Sequence, residues 1–118
     1  MKEVLIAEDE AMLRMLAVEV LQDAGFHVLE AADGHEALTL LRQNPAIKVL
    51  VSDVKMPRMD GYALSEAALA LKPDLKIVLT TGYAQEPPAN ISRCPQIQTL
   101  QKPFDLMRLT EIVESLTS

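Results

Sequence analysis

Short apolar runs of β character alternate along the chain with longer stretches whose apolar residues recur at helical spacing. The short runs predict strands over 4–7, 28–31, 49–52, 76–80 and 99–101. Most are apolar at successive residues, and so on both faces, as strands inside a parallel sheet are. Leu13, Leu16, Ala17, Val20 and Leu21 mark a first helix that Gly25 should stop. Asp33 followed by Glu36 reads as a capping box for a second helix carrying Ala37, Leu38 and Leu41, ended near Asn44-Pro45. Leu64, Ala67, Ala68 and Leu71 form a third stripe and Leu109, Ile112, Val113 and Leu116 a last one; both should face the sheet. Five strand–helix pairs fit the length, which gives an α/β protein with a parallel sheet.

The stretch 84–97 breaks this regularity. Pro87, Pro88 and Pro95 remove amide donors, so the fourth helix should be short or irregular: a surface loop, or a mobile segment that meets partners. A length of 118 residues suits one domain over 1–118. With 49% apolar residues but only two Phe, two Tyr and no Trp, the core must be aliphatic, and few rings remain for stacking on bases. A net charge of −6 argues against a nucleic-acid partner and fits metal cations or basic protein surfaces better. The single Cys94 cannot form an internal disulfide, Glu3 and Glu8 interrupt any leader-like apolar region, and no run is long enough to cross a bilayer. These features point to the cytoplasm and away from a membrane.

Chemistry gathers at the strand ends. Glu8-Asp9 follows the first strand, Asp53 the third, Thr80-Thr81-Gly82 closes the fourth, and Lys102-Pro103 follows the fifth. In an open parallel sheet, ligands bind beyond the carboxyl ends of the strands. Taken singly, Glu8-Asp9 reads as a helix cap, Glu10 as a helix-start charge, Asp53 as a turn residue and Lys102 as a solvated charge. Separate structural roles explain their coincidence at strand ends much less easily. Glu8, Asp9 and Asp53 would concentrate negative charge that a divalent cation relieves, and Mg²⁺ suits an all-oxygen site with one or two carboxylates. Cys94 and His27 are poorly placed for zinc. Beside a metal, the Asp53 carboxylate can act as a nucleophile toward a phosphoryl group, with Lys102 as a second cation and the Thr81 hydroxyl as a donor.

With Glu8-Asp9, Asp53 through Gly61, Thr81-Gly82 and Lys102-Pro103-Phe104, the chain resembles the receiver domain of two-component response regulators over nearly its whole length. The resemblance implies a flavodoxin-like (βα)5 fold with strand order 2-1-3-4-5 and helices on both faces. It implies Asp53 as the phosphoacceptor, and Mg²⁺, or Mn²⁺ in its place, held by Asp9, Asp53, the backbone carbonyl of Lys55 and, through water, Glu8. Thr81 and Lys102 would bind the phosphoryl group, with a cis bond before Pro103 aiming Lys102 inward. Glu8 stands where the family often has Asp, a change that should alter metal geometry only mildly. Thr99 stands where an aromatic switch residue is usual, which puts the Thr-to-aromatic coupling in doubt. Tyr83 either takes over that signal, by governing access of water to the acyl phosphate, or only packs near the site.

The implied function is a single-domain response regulator, without an output domain, phosphorylated by a histidine kinase or a histidine-phosphotransfer protein. It would signal to a downstream protein target through phosphorylation-dependent contacts, as a monomer or a phosphorylation-dependent dimer, or pass phosphate along a relay. Such a switch is not a turnover enzyme. A phosphohydrolase with an Asp nucleophile would need a second Asp two residues on, where Lys55 stands. A nucleotide site would need a Gly-rich loop where Ala7-Glu8-Asp9 stands. A pseudo-receiver that binds partners without phosphorylation is the remaining alternative.

Overall fold

The computed structural model describes residues 2–82, 87–102 and 105–117. Strands and helices alternate as β1 (Glu3–Ala7), α1 (Ala11–Asp23), β2 (His27–Ala31), α2 (Gly34–Gln43), β3 (Ile47–Asp53), α3 (Gly61–Leu71), β4 (Lys76–Thr81), α4 (Ala89–Ser92), β5 (Ile97–Gln101) and α5 (Leu106–Thr117). All neighbouring strands run parallel, and the sheet order is β2-β1-β3-β4-β5.

The period-two alternation of a strand sends successive side chains to opposite faces and divides the core in two. Leu5, Leu50, Ile77 and Leu79 pack with Ala37, Leu38 and Leu41 of α2, Leu64 and Ala68 of α3 and Ile91 of α4. Val4, Ile6, Val49, Val51 and Val78 pack on the other face with Val18 and Leu21 of α1 and Leu109, Ile112 and Val113 of α5. The central strands β1, β3 and β4 are buried on both faces, as the apolar runs require. The edge strands β2 and β5 are largely open, because each has a neighbour on one side only.

Local signals set the helix ends. Gly25 adopts φ +97° after α1, and the N–H groups of Gly25 and Phe26 donate to the carbonyls of Gln22 and Leu21. That pattern closes a helix with a left-handed residue, where Gly alone avoids a Cβ clash. The Asp33 carboxylate accepts from Glu36 N–H at 2.9 Å, which is the N-cap half of the capping box, and α2 ends at Asn44. The fourth helix is one short turn, as its prolines demand.

The apolar stripe of α1 is only partly buried. Leu21 is buried and Ala17 and Val20 partly so, but Leu13 and Leu16 are 38% and 43% exposed, beside exposed Met12 and Met15. Val18 takes a buried position instead. The reason is a cleft of about 490 Å³ at the carboxyl end of the sheet, lined in part by Leu13, Leu16, Ala17, Leu106 and Leu109. The N-terminal half of α1 forms a wall of that cleft and so does not sit on the sheet. Leu71, the last residue of α3, is likewise exposed, although the rest of its stripe is inside.

Candidate functional site

Backbone ties bring the loops after the strands together before any side chain is considered. Glu8 N–H donates to the Ala31 carbonyl at 3.0 Å, Val54 N–H to Thr80 at 2.9 Å, and Lys102 N–H to Thr81 at 2.7 Å. Asp53 ends β3 opposite Thr80, and Thr81 ends β4 opposite Gln101, one residue before Lys102. Sheet register thus gathers Glu8, Asp53, Thr81 and Lys102 along one edge.

Side-chain geometry turns this edge into a charged site. The Lys102 ammonium lies 3.4 Å from Asp53 Oδ1 and 3.7 Å from Glu8 Oε1. Glu8, Asp9 and Asp53 each offer a carboxylate oxygen within 4.8 Å of the others. Glu8 and Asp53 are only 7% and 8% exposed, whereas Asp9 is open to solvent. Burial pushes the Glu8 carboxyl from its ordinary 4.5 up to about 7; the neighbouring Asp53 charge and an Asp9 hydrogen bond add to the rise, while the Glu10 N–H and Lys102 oppose it. One ammonium therefore does not compensate the cluster. A divalent cation with oxygen ligands would supply the missing charge, so the donor set fits such an ion.

The loop after β3 is shaped by a close approach. Gly61, the first residue of α3, donates its N–H to the Val54 carbonyl at 2.8 Å, and a Cβ there would stand 2.6 Å from the Asp53 carbonyl oxygen. Only Gly lets α3 start so near the strand end. Asp60 caps the helix by accepting from Ala63 N–H at 2.8 Å. Across the site, Arg14 donates to the main-chain carbonyl of Glu8 at 2.7 Å and to the Glu30 carboxylate at 3.1 Å.

Of the residues singled out in the sequence, Glu8, Asp9, Asp53 and Lys102 come together, and Thr81 is buried at the end of the adjoining strand. Lys55 follows in the exposed loop. Thr99 is exposed on the edge strand β5, in register with Leu79. Tyr83 and Pro103, and with them the expected cis bond, lie outside the described residues. Sequence reasoning missed the Glu8–Lys102 pair, the Asp60 cap and Arg14. Arg14 did leave a signal: a cation in the first turn of a helix opposes the helix dipole and needs a local reason.

A doubly wound parallel sheet with an acidic cluster and a lysine at its carboxyl edge defines the class. Within it, the chain belongs to the response regulator receiver domain family, whose model matches residues 4–114. It is similar to the response regulator receiver protein CpdR of Brucella abortus (strain 2308), 37% identical over 98% of this chain and 97% of that protein. It is 38% identical to the sensor kinase CckA of the same organism over 96% of this chain, which corresponds to 12% of that longer protein. Among solved structures, the receiver domain of the hybrid histidine kinase CckA superposes with TM-score 0.85 at 33% identity, covering 98% of this chain and 99% of that one. The chemotaxis protein CheY4 of Vibrio cholerae gives TM-score 0.85 at 29% identity, covering 98% of each. Receiver domains are signalling switches of two-component systems, and they bind Mg²⁺ at an acidic pocket. Among the described residues, no helix is long and apolar enough to cross a membrane.

Proposed function

We propose that the chain is a response regulator that accepts a phosphoryl group on Asp53 from a histidine kinase or histidine-phosphotransfer protein. The observation that carries this reading is the Lys102 ammonium 3.4 Å from a buried Asp53 carboxylate that shares its pocket with Glu8 and Asp9. A carboxylate oxygen of Asp53 bonds to phosphorus as the phosphorus–nitrogen bond of the phosphohistidine breaks. The electron pair stays on the imidazole nitrogen, which takes a proton from water. Lys102 then pairs with the new phosphoryl oxygens, and the Thr81 hydroxyl donates to one of them. Asp9, Asp53 and the Lys55 carbonyl would hold Mg²⁺ directly and Glu8 through water; bound there, the ion neutralises charge on the transferring group. The similarity to a receiver within a sensor kinase supports a histidine donor.

Phosphorylation adds about −1.5 to −2 charge to an edge that is already acidic. Drawing Thr81 and Lys102 toward that charge moves the ends of β4 and β5, and so the surface of α4, β5 and α5 that a downstream protein meets in the cytoplasm. The chain works as a switch, or as a relay station that returns the phosphoryl group, and not by turnover of external substrates. The test is intact-protein mass after incubation with acetyl phosphate and Mg²⁺. A single phosphoryl adduct is expected, absent in Asp53→Asn and absent with chelator. No adduct in folded wild type, or an adduct that survives Asp53→Asn, would remove Asp53 from this role.

A further inference from the structure

We infer that Arg14 is a positioning residue for the acidic cluster, acting through the main-chain carbonyl of Glu8. The inference rests on the cation-binding reading of that cluster. Arg14 sits in the first turn of α1, where the helix dipole disfavours a cation, and its side chain is only 20% exposed. Two contacts answer for it. Nη1 donates to the Glu8 carbonyl at 2.7 Å, and Nε pairs with Glu30 of β2 at 3.1 Å. The planar guanidinium can make both at once, because its donors are fixed in a fork.

The consequence falls on the backbone between two acidic residues. The Glu8 N–H is already fixed to the Ala31 carbonyl, and Arg14 fixes the carbonyl on the other side of the same residue. Glu8 is therefore held on both sides, through the peptide before it and through the carbonyl of the Glu8–Asp9 peptide, whose plane carries the α-carbons of both acidic residues. The Glu10 N–H to Glu8 Oε2 bond at 3.2 Å then orients the Glu8 side chain. Without Arg14, the loop after β1 keeps its strand tie and loses the clamp that sets the spacing of Glu8 and Asp9 relative to Asp53. Partners that orient ligand groups from outside the coordination sphere commonly change metal affinity by roughly 10–100-fold when removed.

The experiment is Mn²⁺ titration of the unphosphorylated protein, followed by electron paramagnetic resonance of the free ion, with thermal unfolding measured on the same samples. Arg14→Ala should weaken Mn²⁺ binding by roughly 10–100-fold. Arg14→Lys, which keeps the charge without the fork, should bind more weakly than wild type and more tightly than Arg14→Ala. Leu116→Ala, on the far part of α5, lowers stability without touching the clamp and should keep wild-type affinity. Wild-type affinity in both Arg14 variants would overturn the inference and leave the cation site standing. Equal weakening in Leu116→Ala would overturn it as well, by reducing the effect to stability. A folded wild type that binds no Mn²⁺ would overturn the cation site and the clamp together.

Discussion

Replacing Glu8 with Gln removes one ionisation from a buried site at nearly constant volume, and the effect on stability should depend on pH. In the folded chain the Glu8 carboxyl titrates near 7, against 4.5 in the unfolded chain, chiefly because it is buried. Below 4.5 both states hold the proton and the site costs nothing. Between 4.5 and 7 the unfolded chain releases it while the folded chain keeps it, so stability falls as pH rises through that window. Above 7 the loss is complete. At about 1.36 kcal/mol per pH unit, a window from 4.5 to 7 amounts to about 3 kcal/mol, a substantial share of a total stability of about 5–15 kcal/mol. The opposing effects of Lys102 and the Glu10 N–H are already contained in that net value. Glu8→Gln should therefore match wild type below 4.5 and exceed it by about 3 kcal/mol above 7, in the presence of chelator. In urea titrations that difference moves the midpoint by about 1–3 M, for a slope of about 1–3 kcal/mol per M. Parallel stability–pH profiles for the two proteins would refute the argument.

Three further outcomes are expected from the same geometry. Gly61→Ala should cost about 1–3 kcal/mol, because its Cβ meets the main chain of Asp53 and Val54 and not a side chain that can turn away. Gly82→Ala, with open space around the new methyl, is the control; similar melting temperatures for both variants would show that α3 can retreat from the strand end. Asp60→Ala and Asp33→Ala should each cost about 1 kcal/mol through loss of an N-cap bond, measured by urea denaturation, and a neutral result would mean that water replaces the cap freely. Mg²⁺ at a hundred times the Kd it has above pH 7 should stabilise the fold there by about 2.7 kcal/mol, and the same concentration should stabilise it less near pH 4.5, where Glu8 holds its proton. A gain independent of pH would place the ion away from Glu8.

Much of the fold is legible in the chain because its signals are local. The apolar runs of β1, β3 and β4, the Asp33–Glu36 cap, the Gly25 stop and the proline-broken α4 each depend on a few adjacent residues. What escaped is set by neighbours far along the chain. Helical spacing identified Leu13 and Leu16 as part of an apolar stripe, but whether that stripe meets the sheet depends on where α5 lies, and the cleft between them leaves both residues partly in solvent. The openness of β5 did leave a mark, since Gln98, Thr99 and Gln101 interrupt the apolar run that the central strands keep, but its place at the edge is set by the strand order and not by any residue within 97–101.

The site divides along the same line, for a reason with consequences for how it can be altered. Glu8, Asp53, Thr81 and Lys102 could be found because each lies at the carboxyl end of a strand, and parallel register brings strand ends together whatever the side chains do. Arg14 could not, because its reach to the Glu8 carbonyl is a choice of rotamer; the only trace in the sequence is a cation where the helix dipole opposes one. The glycine at 61 lies between these cases: the chain shows a turn signal, but the clash that excludes any other residue exists only once α3 rests against the end of β3. The Asp53 carboxylate, the lysine and the acidic pair thus inherit their positions from the sheet, which substitutions elsewhere on the surface scarcely disturb. Their fine spacing depends instead on Arg14 and Gly61, so those two positions are where the chemistry of the site can be detuned while its residues all remain in place.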